Sequence, residues 1–132
     1  MDLDDRTLAL AIARGRVVLG AVASLLPGLV ARGAPGESTP STRALSRMAG
    51  ARDLELGVGA VTSLKEETQD AEWIGMGAVV DLLDGVALLV TRRLPARARL
   101  AGLGALATGA AGLVLARRLA DARALEDATG GA

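Results

Sequence analysis

The chain has 132 residues, enough for one domain, and is 51% apolar with a mean hydropathy of +0.38. Its 15 basic and 15 acidic residues cancel, so no basic excess points to a nucleic-acid partner. It has no Cys and no His. That removes disulfides, a thiolate nucleophile, the usual general base and the commonest metal ligand, so neither an enzyme site nor a metal or other cofactor is expected.

The apolar content is of one kind. Phe and Tyr are absent and Trp73 is the only aromatic residue; Lys65 is the only lysine. A soluble core of this size normally draws on aromatic bulk. Here Leu, Val, Ala and Gly supply it, a bias that a GC-rich genome also produces. The opening Met1-Asp2-Leu3-Asp4-Asp5 is acidic where a secretory signal carries positive charge, so no cleaved signal is expected.

The first apolar run covers Thr7 to Val30, long enough to span a bilayer, which needs about 20 residues. Arg14 and Arg16 interrupt it. Two positions apart on a helix, they point to nearly opposite faces, so one is expected inside and one toward headgroups. Gly20, Ser24 and Gly28 recur every fourth residue, a line that lets another backbone come close. Pro27 is expected to bend or end the helix. The stretch from Ala31 to Thr42 is rich in Pro, Gly and hydroxyl residues and reads as a loop, with Ser41 or Thr42 capping the next helix.

The second run, Arg43 to Leu64, is the least apolar. It contains Gly50-Ala51-Arg52-Asp53-Leu54-Glu55-Leu56-Gly57, three charges within four residues. Charge in hydrocarbon costs roughly 2.5–3.5 kcal/mol per residue on insertion scales, so these groups need partners. An in-plane or surface helix would look similar. Val58-Gly59-Ala60-Val61 favours a buried membrane helix. After an acidic loop over Lys65 to Glu72, Trp73 stands where an interfacial anchor is expected.

The third run begins at Trp73 and carries two charges before Thr91, Asp81 and Asp84. Spaced i and i+3, they share a helix face with Gly77 and Gly85. A basic turn over Arg92 to Arg99 contains Pro95. The fourth run, Leu100 to Ala116, has no charge, and Gly104, Thr108 and Gly112 repeat the spacing-of-four line. The first and last helices are therefore expected to pack together.

These runs predict a single all-α domain, a four-helix up-down-up-down transmembrane bundle with helices over about 7–30, 43–64, 73–94 and 98–119, and a flexible tail over 120–132. Arg and Lys counts place the loops after helices one and three in the cytoplasm and both termini on the other side. The charges inside the membrane zone balance at four against four: Arg14, Arg16, Arg47 and Arg52 against Asp53, Glu55, Asp81 and Asp84. Arg52 is expected to face Asp81 or Asp84, and Arg14 or Arg16 to meet Asp53 or Glu55. Such a cluster either fixes helix register or lines a polar cavity that moves protons or binds a small charged ligand.

The Gly50–Gly57 run, followed by the helix bearing Asp81 and Asp84, resembles an uncharacterised family of small four-helix bacterial membrane proteins, loosely similar to DoxX-like proteins. Those relatives read G-x-R-D-hydrophobic-x-hydrophobic-G in the second helix and carry an acidic third helix. Glu55 stands where they have an apolar or small residue. The resemblance implies a multi-pass protein of the inner membrane and no chemistry. The expected role is a binding or accessory subunit, with the lipid bilayer and other membrane subunits or a second copy as partners. A small transporter or proton-coupled carrier is the alternative, and a soluble or partner-dependent helical protein the third reading.

Overall fold

A computed structural model describes residues 3–33 and 38–130, and the regular structure among them is entirely helical. The elements are α1 (Leu3–Leu25), α2 (Pro27–Gly33), α3 (Pro40–Glu66), α4 (Asp70–Val90) and α5 (Ala96–Gly130). The first expected helix is thus two. Pro27 has no N–H to donate, and its ring opposes a carbonyl one turn back, so α1 stops at Leu25. Pro27 then opens the short α2, where a missing N–H costs nothing.

Helix α3 begins earlier than expected, and its cap is neither Ser41 nor Thr42. Thr39 is the N-cap: its hydroxyl accepts from the Thr42 N–H at 3.1 Å, and the Thr39 N–H donates to the Thr42 hydroxyl at 2.9 Å. This reciprocal box satisfies two orphan donors, and Pro40 fills the first helical position instead of breaking the helix. Helix α3 closes at Glu67, whose left-handed φ of 56° lets its N–H reach the Ser63 carbonyl. Only residues 67–69 separate α3 from α4, far less than the expected loop, so the two helices are antiparallel neighbours.

Helix α5 has 35 residues, roughly 52 Å at 1.5 Å per residue. The expected flexible tail is helical through Gly130. Its Ala, Leu, Arg and Glu content favours helix, which overrides the fraying expected near a chain end.

Glycines decide which helices touch. Helix α1 packs chiefly on α3, and α4 on α5, whereas α1 meets α5 only lightly. The expected pairing of first and last helices is therefore replaced by two antiparallel hairpins. In the first, a Cβ on Gly50 would lie 2.6 Å from the Ser24 nitrogen, and one on Gly57 would lie 2.7 Å from the Val17 nitrogen. Gly20 lies equally close to the Leu54 backbone. In the second, a Cβ on Gly85 would lie 2.8 Å from the Gly102 carbonyl, and one on Gly109 would lie 2.8 Å from the Ala78 carbonyl. Backbone meets backbone in both hairpins, which only residues without side chains allow.

The two hairpins join through side chains. Ala9 and Ala13 of α1, Ala60 and Leu64 of α3, Ile74 of α4, and Leu115, Ala116 and Leu119 of α5 form one buried cluster. Trp73 packs against it, its ring lying on Gly59 of α3. The ring is therefore turned onto α3 and against the buried cluster. Gly59 provides the flat surface the indole needs.

Bulk is distributed inversely to a water-soluble fold. The buried hydrophobic set is mostly Ala, while Leu19, Leu25, Met48, Leu83, Val90 and Leu100 are all more than 60% exposed. Three helices, α1, α4 and α5, contain stretches long and apolar enough to cross a membrane. Helix α3, expected as the second of four spans, is too charged to qualify.

Candidate functional site

The charged residues of the apolar zone meet where the two hairpins face each other. Arg16, on α1, is placed there by the contact of Gly57 with Ala13 and Val17, which brings α1 and α3 to backbone distance. Its guanidinium donates to Asp53 Oδ1 at 3.1 Å, to Asp81 Oδ2 at 2.5 Å and to the Gly77 carbonyl at 3.1 Å. One side chain thus ties α1 to α3 and to α4. Arg52 grips Asp84 with both terminal nitrogens, at 3.2 and 2.5 Å, and reaches Asp53 at 3.5 Å. Two parallel N–H···O bonds to one carboxylate are the geometry guanidinium favours. The result is a chain of alternating sign: Asp81, Arg16, Asp53, Arg52, Asp84.

Burial grades along this chain. The Arg16 side chain is 11% exposed, Arg52 is 37% exposed and Asp84 43%. The Arg16 end is therefore the desolvated one. Beside it lies a cavity of about 20 Å³ bounded by Arg16, Asp81, Trp73 and Thr108, room for one water. At the other end, Arg52 Nε is buried and unbonded, because the fork to Asp84 uses only the terminal nitrogens.

Of the eight charges expected to share the membrane zone, five meet here. Arg14 and Glu55 do not: both are exposed, and among the described residues neither forms an ion pair. Arg47 is also exposed and outside the network. The expected balance of four against four therefore becomes two guanidiniums against three carboxylates. Helical geometry is the reason, since Arg14 lies on the face of α1 opposite Arg16, and Glu55 projects from α3 away from Asp53.

A second charged group lies at the other end of the hairpins and was not singled out from the sequence. Asp70, its side chain 5% exposed, pairs with Arg123 at 3.1 Å, and Arg123 also donates to the Glu67 carbonyl at 2.6 Å. Arg6 donates to the Leu64 carbonyl at 2.5 Å and pairs with Glu67 at 3.0 Å. These bonds tie the start of α1 and the far part of α5 to the α3–α4 turn. The available signal was weak: an acidic residue in the first turn of a helix, favoured by the dipole there.

The class defined by fold and site is an all-helical bundle with an apolar outside and an ion-paired inside. Among known proteins, no family model, curated protein or solved structure matches the chain. Among the described residues, no group of three or more carboxylates is placed to hold a metal ion.

Proposed function

We propose that the chain is a small multi-pass protein of the bacterial inner membrane, acting as a binding or accessory subunit, in which the Arg/Asp network fixes how the two hairpins sit together. The observation that carries this reading is the reversal of polarity: large aliphatic side chains point outward while Arg16 and Asp81 point inward. Lipid rewards that arrangement and water penalises it. Helix α3 is included because of its packing. It lies backbone to backbone along α1, so a bilayer around α1 also surrounds α3, and two of its charges, Arg52 and Asp53, are neutralised within the network. The resemblance of the Gly50–Gly57 run to small four-helix membrane proteins supports the same setting.

Extraction tests the membrane. The protein is expected to stay with membranes through alkaline carbonate and to need detergent for release; recovery from the aqueous phase after lysis would overturn the reading. The role of the network is tested by Asp81→Asn and Asp84→Asn. A register-fixing network predicts loss of folded protein.

A second reading, a proton-coupled carrier, draws on one observation. Three carboxylates face two guanidiniums beside a cavity with room for a water, so a fully ionised network holds one negative charge in excess. A proton taken up there would balance it. That reading predicts that the Asn variants fold normally but no longer acidify or alkalinise the lumen of proteoliposomes. The direct Arg–Asp contacts, at 2.5 Å for both Asp81 and Asp84, favour the register role.

A further inference from the structure

Seven arginines at one end of the molecule have no carboxylate to meet. Arg32, Arg43 and Arg47 come from α2 and the start of α3; Arg92, Arg93, Arg97 and Arg99 come from the α4–α5 turn and the start of α5. All seven are exposed, and among the described residues none forms an ion pair. In the sequence the same two stretches, 26–47 and 90–99, hold one acidic residue, Glu37. The other end is the reverse: Arg6, Arg118 and Arg123 are paired with Glu67, Asp5 and Asp70. Arg93 keeps its charged side chain at a left-handed φ of 69°, where glycine would cost less.

The helix register sets the depth of this basic end. Gly50 lies beside Ser24, Gly85 beside Gly102, and Arg52 bonds to Asp84, so the start of α3, the end of α4 and the start of α5 share one level. Exposed Leu25, Val90 and Leu100 border it. Along α3, Arg47 and Lys65 are about 18 residues apart, roughly 27 Å, against about 30 Å for the hydrocarbon core of a bilayer. The arginines thus stand where one leaflet has its headgroups.

We infer that this end binds anionic phospholipids of that leaflet, the guanidiniums gripping headgroup phosphates. The inference rests on the membrane reading, which supplies the depth. Charge complementarity supplies the ligand: an uncompensated cationic rim draws anionic lipid, and the planar fork of arginine matches a phosphate with two parallel bonds. Its place beside the aliphatic surface selects lipid over a soluble anion, because phosphodiesters are concentrated at that depth.

Native mass spectrometry of the full chain in uncharged detergent tests this, with phosphatidylglycerol and phosphatidylcholine of the same acyl chains as probes. The wild type is expected to retain phosphatidylglycerol about tenfold over phosphatidylcholine. Arg92→Gln, Arg93→Gln, Arg97→Gln and Arg99→Gln together are expected to remove most of that preference, and Arg43→Gln with Arg47→Gln to reduce it. Lys65→Gln with Arg117→Gln, exposed cations of the other end, are expected to leave it unchanged. Equal retention of the two lipids by the wild type, or a preference that both arginine variants keep, overturns the lipid site while leaving the membrane reading intact. An equal loss in the Lys65/Arg117 control overturns the assignment to this end. Displacement of the lipid by millimolar inorganic phosphate overturns lipid as the ligand. Release of the protein from cells without detergent overturns the site and the membrane reading together.

Discussion

Removing Arg16 is the most informative single perturbation. In Arg16→Met the aliphatic stem is kept and the guanidinium lost, together with its bonds to Asp53, Asp81 and the Gly77 carbonyl. Two scales compete for the magnitude. Interhelical polar contacts in membrane bundles average about 0.6 kcal/mol and reach about 1.7. Breaking a buried ion pair by deleting one partner costs about 3–5 kcal/mol, because the other charge is stranded. The second applies here, since among the described residues Asp81 pairs with no other cation, whereas Asp53 keeps Arg52. The partial exposure of the carboxylates puts the expected loss at the low end, about 3 kcal/mol, or roughly a hundredfold in the folding equilibrium. Arg52→Met is the control. Asp84 lies within two turns of the end of α4 at Val90, and it and Arg52 are both more than a third exposed, so on the membrane reading headgroups and water reach the pair and its loss is expected to cost only about 1 kcal/mol. The triple variant Arg16→Met, Asp53→Leu, Asp81→Leu removes the stranded charges as well and is expected to regain most of the loss. Reversible unfolding in mixed micelles, titrated with a denaturing detergent, measures all three. If Arg16→Met matched Arg52→Met, or the triple variant were no better than the single one, stranding would not be the cause.

Glycine substitutions should divide sharply by site. Gly57→Ala, whose Cβ meets the Val17 backbone, is expected to destabilise by about 1–3 kcal/mol, while Gly104→Ala, with nothing within 4 Å, gains up to about 1 kcal/mol from helix propensity; thermal unfolding in detergent ranks them. Truncation after Ala122 removes Arg123 and leaves Asp70 buried without its cation, so protease susceptibility at the α3–α4 turn is expected to rise; adding Asp70→Asn is expected to reverse part of that rise. The antiparallel hairpins gather Arg32, Arg43, Arg92, Arg93, Arg97 and Arg99 at one end, which is expected to face the cytoplasm. Alkaline phosphatase fused after Ala132 should then be active and a cytoplasmic fluorescent reporter dark; the opposite pattern refutes the orientation.

Much of the helical layout was legible in the sequence. The apolar runs mark α1, α4 and α5, and Pro27 ends α1 where a proline must. The pairing of helices was not. A line of small residues marks a surface that permits close approach but does not say what approaches. Gly104 belongs to such a line and touches nothing, while Gly109, outside it, meets the Ala78 carbonyl. The network was half legible. Charges inside an apolar run demand partners, and Arg52 with Asp84 follows from that, but the choice of Arg16 over Arg14 depends on which face of α1 turns to α4. The inward turn of Trp73 was not legible either, because its place near a helix start says nothing of the flat surface that Gly59 holds open for it.

The division of the fold into two hairpins also divides its electrical burden. The half made first holds Arg14, Arg16 and Arg52 against Asp53 and Glu55, whereas the half made later holds Asp81 and Asp84 with no arginine at the same depth. Neither half is comfortable in hydrocarbon while it is alone. On the membrane reading proposed above, insertion is therefore expected to be coupled to docking: the early pair carries a surplus positive charge, the late pair brings two negative ones, and their meeting neutralises both.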